Sequence, residues 1–208
     1  MADSQLASPE LSGVEIHGMS RGAFIMRGAL VTGAVYGGGM VAPFVRQAIA
    51  QSGGGDVDIV NFALTLEYLE AEFYKQGEKL GLSGDVSKLA KQFGDEEQQH
   101  VEALSATVEK LGGKAAAKPK FTFPIKDEKS FLKLAVTLED TGVSAYNGAA
   151  PAIESKEVLA AAGSIVQIEA RHAAAIRLAR KDNPSPDAFD KPLDEEKVLE
   201  AVKPLIKS

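Results

Sequence analysis

The sequence predicts an all-α fold in which four long helices, formed from a duplicated helix pair, pack as a single bundle. The strongest sign is an internal repeat. Leu64-Thr65-Leu66-Glu67 recurs as Val136-Thr137-Leu138-Glu139, a shift of 72 residues that also relates Ala63 to Ala135, Tyr74 to Tyr146, Glu97 to Glu169 and His100 to His172. Apolar residues recur at helical spacing in each of four segments, and the loops are short within each half but long between the halves. Two copies are too few for a solenoid, so the helices must bury their apolar faces around one common axis.

The chain starts with a region of different character. Residues 28–45, GALVTGAVYGGGMVAPFV, carry no charge, follow Arg21 and Arg27, and lead to Ala48-Ile49-Ala50, a small-x-small pattern. This is the layout of a secretory signal cleaved near Ala50, so export to a periplasm or the exterior is expected. Ser20-Arg21-Gly22-Ala23-Phe24-Ile25 resembles a twin-arginine signal with Gly22 in place of the second arginine. Left uncleaved, residues 23–45 would associate with a membrane, although Gly37-Gly38-Gly39 and Pro43 make a poor span. A helix packed on the bundle is the third reading. Residues 51–55, with Gly53-Gly54-Gly55, form a flexible joint to the bundle at 56–181.

The first bundle helix is expected over 56–80, with Val60, Ala63, Glu67, Ala71 and Tyr74 on one face and Gly81 at its end. The second carries Val86, Ala90, Phe93, Glu97, His100, Leu104 and Leu111, and stops at Gly112-Gly113. The third presents Leu132, Ala135, Glu139, Val143 and Tyr146, ending near Gly148 before Pro151. Ser155 is the expected cap of the fourth, whose stripe is Val158, Ala162, Ile165, Glu169, His172 and Ile176, with Pro184 beyond it. Residues 112–127 form the long connection; about 15 extended residues reach roughly 50 Å, enough to traverse a bundle about 35 Å long. Residues 182–208 form a C-terminal extension with one short helix.

The composition narrows the chemistry. The 23 Lys and Arg against 29 Asp and Glu give a net charge of -6, which argues against a nucleic-acid partner. With no cysteine, disulfides, thiolate zinc sites and iron–sulfur clusters are excluded, and any metal must sit on oxygen and nitrogen ligands.

Six such ligands fall on the core stripes: Glu67, Glu97, His100, Glu139, Glu169 and His172. Four inward carboxylates lose hydration and repel one another, and no Lys or Arg shares their stripes. Two divalent ions are the simplest counter-charge. Glu-x-x-His places both side chains on one helix face, so each such pair can serve one metal opposite a lone Glu from a neighbouring helix. One Glu-x-x-His by itself means little, since both residues are common on solvated faces; two of only three histidines following that pattern, in register with the repeat, mean more. Glu67 and Glu139 are the expected bridging carboxylates.

Other neighbours read as secondary. Glu70 maps onto Gly142, which suggests a solvated or supporting role, and Glu96 maps onto Ile168, which favours Glu97 as the inward residue. Asp140 is either an acceptor for an imidazole or a surface acid. Tyr74 and Tyr146 read as core packing rather than hydrogen-bonding partners. His17 lies upstream of the apolar segment and is incidental.

The segments NFALTLEYLEAEFY (61–74), LEDTGVSAYNGAAPAI (138–153) and EARHAAAIR (169–177), with AFDKPL at 188–193, resemble the ferritin-like domain family that includes plant desiccation-related proteins and many exported bacterial proteins. That resemblance implies the ferritin-like bundle with its crossover and the same six ligands. The expected function is a di-iron or di-manganese oxidoreductase acting on Fe(II), dioxygen or peroxide in stress protection, with two ions roughly 3.5 to 4 Å apart and iron the first choice. The alternative is a structural or desiccation-protective bundle whose metal site is a staple or a vestige. All six ligands lie in one chain, and the segment after Asp194 is too short for a fifth helix that would close a storage cage, so a homo-oligomer is left open.

Overall fold

The computed structural model describes residues 55–207. The expected export signal or membrane-proximal segment at 1–50 lies outside the described residues, as does the joint apart from Gly55. Four long helices follow: α1 (Asp56–Gly77), α2 (Gly84–Lys110), α3 (Glu128–Ala149) and α4 (Lys156–Ala179). A short α5 (Glu195–Val202) and two two-residue strands, β1 (Lys120–Phe121) and β2 (Ile206–Lys207), complete the fold. Among the described residues no helix is long and apolar enough to cross a membrane.

The helix boundaries have local causes. Ser155 accepts a hydrogen bond from the Val158 amide and starts α4 where the sequence placed the cap. At α3, Asp127 and Ser130 form a reciprocal capping box. α2 ends where Gly112 adopts φ 80° and the Gly113 amide bonds back to the Val108 carbonyl, a left-handed exit that favours glycine. α1 stops three residues earlier than the spacing predicts, because Glu78–Leu80 tighten into a 3₁₀ turn before Gly81.

The repeat extends into the turns. Asp56, the first residue of α1, accepts from the amides of Glu154 and Ser155 at 2.8 and 2.7 Å in the α3–α4 turn. Glu128, the first residue of α3, accepts from the Ser83 amide at 2.6 Å in the α1–α2 turn. Asp56 with Glu128, and Ser83 with Ser155, stand 72 residues apart. Each half thus anchors its first residue in the other half's hairpin. α1 and α3 therefore run antiparallel, α2 and α3 run the same way, and the chain between them must traverse the bundle.

That crossover lies along α1. Buried Asn61 donates to the Lys114 carbonyl at 3.1 Å and accepts from the Ala116 amide at 2.7 Å, and Lys118 pairs with Glu72 at 2.7 Å. Beyond them β1 pairs antiparallel with β2, Lys120 opposite Lys207 and Phe121 opposite Ile206. Phe121 and Phe123 are buried beside Phe73, which stacks on Phe131 at 4.9 Å. The C-terminal extension contributes to this core: Val198, Leu199, Val202 and Leu205 are all buried with it.

Buried apolar residues form two clusters, one around Phe73, Phe93 and Phe131, the other around Val60, Leu64, Leu104, Val108 and Val158. On each long helix a buried glutamate sits in sequence between residues of these clusters. The polar layer thus crosses all four helices at one level.

Gly148 shows how closely the extension is fitted, since a Cβ there would run into the carbonyl of Leu193, whose amide donates to Ser144 O at 3.0 Å. Gly148→Ala should displace residues 183–194 and destabilise the fold by about 1–3 kcal/mol, the usual scale of overpacking. Thermal melting together with hydrogen exchange over that segment checks this; unchanged exchange would show that the close approach is not part of the native packing.

Candidate metal centre

Each ligand candidate comes from the middle of a long helix, where the backbone is satisfied internally and the side chain is held rigidly. Glu67, Glu97, Glu139 and Glu169 are all 0% exposed and His172 is 2% exposed. The His100 side chain retains 12% exposure. Their ligand atoms form two overlapping groups, Glu67, Glu97, His100 and Glu169 in one, and Glu97, Glu139, Glu169 and His172 in the other, with the atoms of each group within 4.8 Å of one another. The structure brings all six predicted residues together.

The shared members are Glu97 and Glu169, not Glu67 and Glu139 as the sequence reading expected for the bridging positions. The reason is geometric. Glu97 and Glu169, from α2 and α4, present ligand atoms to both groups, whereas Glu67 of α1 and Glu139 of α3 each reach only one.

The imidazoles face inward through Nδ1. His100 Nδ1 lies 3.2 Å from Glu67, 3.1 Å from Glu97 and 3.3 Å from Glu169. His172 Nδ1 lies 2.9 Å from Glu97 and 3.3 Å from Glu139. Several of these atoms are close without being paired: Glu97 Oε1, Glu139 Oε2, both oxygens of Glu169 and His172 Nδ1 make no aligned hydrogen bond. Carboxylate and imidazole atoms that converge with several of them left unpaired fit divalent cations. Among the described residues, none of the ion pairs reaching these glutamates comes from Lys or Arg.

Electrostatics show the same need. Burial, then the charge of Glu97, pushes the Glu67 pKa up to about 8. Burial likewise raises Glu139 and, together with the neighbouring carboxylates, raises Glu169 well above the usual range. Burial also acts to raise Glu97, but the His100 and His172 imidazoles close against it outweigh burial and hold Glu97 down at about 2. Burial opposes protonation of the imidazoles, yet the carboxylates around them lift His100 to about 12 and His172 to about 11. Without metal, protons carry the counter-charge.

The supporting residues differ from several expectations. Tyr74 and Tyr146 do pack in the core, but each also donates its hydroxyl across the bundle, Tyr74 to Glu139 and Tyr146 to Glu67, the latter at 2.5 Å. Their common 72-residue shift was the available signal, because a buried phenol needs a partner. Of the two roles expected for Glu70, solvated or supporting, its burial leaves the supporting one: it is 2% exposed, one of its oxygens has no partner, and the absent side chain at Gly142 leaves room for it beside Glu169. Asp140 accepts from Arg177 at 2.5 Å rather than from an imidazole. The acceptor for an imidazole is Glu96, 2.6 Å from His172 Nε2.

A family model for the ferritin-like domain matches residues 55–182. The chain belongs to the ferritin-like domain family. Its architecture is shared by the crystal structure of a conserved hypothetical protein from Mycobacterium tuberculosis, with a TM-score of 0.56 and 17% sequence identity over 63% of this chain and 94% of that one. At that identity the likeness concerns the fold. No protein with a curated description matches the chain.

The raised pKa values give this ferritin-like chain a pH signature. A carboxyl such as Glu67, raised from 4.5 to about 8, stabilises the fold fully below its unfolded value and loses that contribution as pH rises through the folded one. The raised imidazoles act in the same direction above 6.5. Metal-free protein should therefore lose stability from about pH 5 to 9, and the gain in Tm on adding Mn(II) should widen over that range because ligand atoms bind unprotonated. Melting curves with and without chelator check this; a metal-free Tm that rises across the range contradicts it.

Proposed function

We propose that the chain is a dinuclear metal-carboxylate protein, with iron the first choice and manganese the second, acting as an oxidoreductase on Fe(II), dioxygen or peroxide in stress protection. The observation that carries this is the pair of overlapping four-residue groups sharing Glu97 and Glu169. Glu67 and His100 would complete one metal position, and Glu139 and His172 the other. Four carboxylates then balance two divalent charges, and the buried atoms left without partners acquire them. When bound, such a pair of ions supplies one-electron redox chemistry toward dioxygen or peroxide.

The chain's own residues prepare the site for that chemistry. Tyr146 and Tyr74 hold Glu67 and Glu139, the two unshared carboxylates, by hydrogen bonds to the oxygens Oε1, leaving Oε2 of each turned toward the imidazoles. The apolar clusters on either side exclude bulk water and keep the local dielectric low. The partly exposed His100 marks the more open side of the layer. The uncharged stretch at 28–45 and the Ala48-Ile49-Ala50 pattern support an exported location for this activity.

Fe(II) loaded anaerobically and then exposed to air tests the reading. About two ions per chain should bind, oxygen should be consumed as Fe(II) is oxidised, and the Glu97→Ala, Glu169→Ala double variant should lose both binding and oxidation. Ions bound and Tm raised without oxygen or peroxide turnover would instead favour the structural staple.

A further inference from the structure

The duplication is kept at all six ligands and at both tyrosines, so the places near the site where it breaks are informative. On α2, Phe93 and Glu96 meet His172 and Gln92 holds Glu96; the residues corresponding to Gln92, Phe93 and Glu96 on α4 are Ser164, Ile165 and Ile168. Glu96 Oε2 lies 2.6 Å from His172 Nε2, and the Gln92 amide donates to the other Glu96 oxygen at 3.0 Å. Phe93 stacks on the His172 ring with centroids 4.0 Å apart and planes 24° apart. One imidazole is thus held by an acceptor and by a ring. The counterparts of Glu96 and Phe93 on α4 cannot do the same for His100: Ile168 has no acceptor atom and Ile165 no ring face.

We propose that Glu96 is a positioning residue for His172 and that it makes the two metal positions unequal, the one formed by Glu97, Glu139, Glu169 and His172 binding first and more tightly. By accepting a hydrogen bond from the Nε2–H, Glu96 fixes the ring so that Nδ1, beside Glu97 and Glu139, is the nitrogen offered to an ion, and its negative charge makes the imidazole a stronger donor. Outer carboxylates of this kind are typically worth about 10–100-fold in metal affinity. Among the described residues the His100 position has no such carboxylate, and it is the more solvent-accessible, with 12% of its side chain exposed against 2% for His172. It is therefore the position that exchanges ions with solvent, and the one where Fe(II) as a substrate would enter and leave. This inference rests on the dinuclear reading above.

Calorimetric titration of Mn(II) into metal-free full-length chain tests it without any turnover. Wild type should bind in two steps separated by about tenfold or more, and Glu96→Ala should weaken the tighter step by about 10–100-fold while leaving the weaker within about twofold. Glu96→Gln, which keeps an acceptor oxygen but not the charge, should lose less. In a His100→Ala background the remaining step should still depend on Glu96; in a His172→Ala background it should not. Imidazole ¹⁵N spectra of the metal-free protein provide a second reading, since the slowly exchanging His172 Nε2 proton should be lost in Glu96→Ala. Equal loss in both steps, or loss in neither, overturns the proposal while the dinuclear reading stands. Failure of wild type to bind Mn(II) at all overturns both.

Discussion

Carrying four carboxylates through the centre of a helical bundle is the constraint on which the rest of this structure depends. Each of Glu67, Glu97, Glu139 and Glu169 is withdrawn from water at a cost of several kcal/mol, and each repels the others. The layer is tolerable only if something positive occupies it, either protons shared with His100 and His172 or divalent cations. Placing the acids on rigid mid-helix positions prevents them from turning outward to solvent. Glu70, a fifth acid buried beside Glu169, is pushed well above the ordinary carboxyl range by burial and by its charged neighbours. Burial and these neighbours thus disfavour its ionised form.

The approximate two-fold symmetry explains how one chain assembles such a layer. Each half supplies one helix with a single glutamate and one with Glu-x-x-His, and each places a tyrosine on the other half's unshared glutamate. The same exchange occurs at the turns, where Asp56 and Glu128 cap the opposite hairpins. Pairing the halves this way requires the crossover, and Asn61 with the β1–β2 pair holds it in place along α1. Symmetry is complete at the six clustered residues and incomplete around them, so the two overlapping groups differ in their surroundings.

Much of this was legible because helix periodicity and the repeat report directly on which residues face inward. All four helices, the Ser155 cap, the long crossover and the six convergent side chains follow from spacing within one helix or from the shift between halves. Expectations failed where the decisive partner lay on another helix. Tyr74 and Tyr146 were legible as buried but not as donors, because their acceptors stand 65 and 79 residues away. Glu70 read as either solvated or supporting because Gly142 breaks the repeat there; in three dimensions that missing side chain provides the room for Glu70 to be buried beside Glu169, in the supporting place. The β1–β2 pair joins two-residue segments far apart in the chain, too short to leave a periodic signal.

By itself the sequence determined which side chains lie on the core faces, since a helix places residues three and four apart on one side whatever surrounds it. From that came the bundle, its duplication and the six candidate ligands. Only the tertiary structure decided how those ligands are shared and supported: that Glu97 and Glu169 belong to both groups, that the tyrosines orient Glu67 and Glu139, and that Glu96 rather than Asp140 meets an imidazole. The physical reason is that sharing and support depend on the rotation and level of one helix against another. Packing across the bundle sets these, and no spacing within a single helix encodes them.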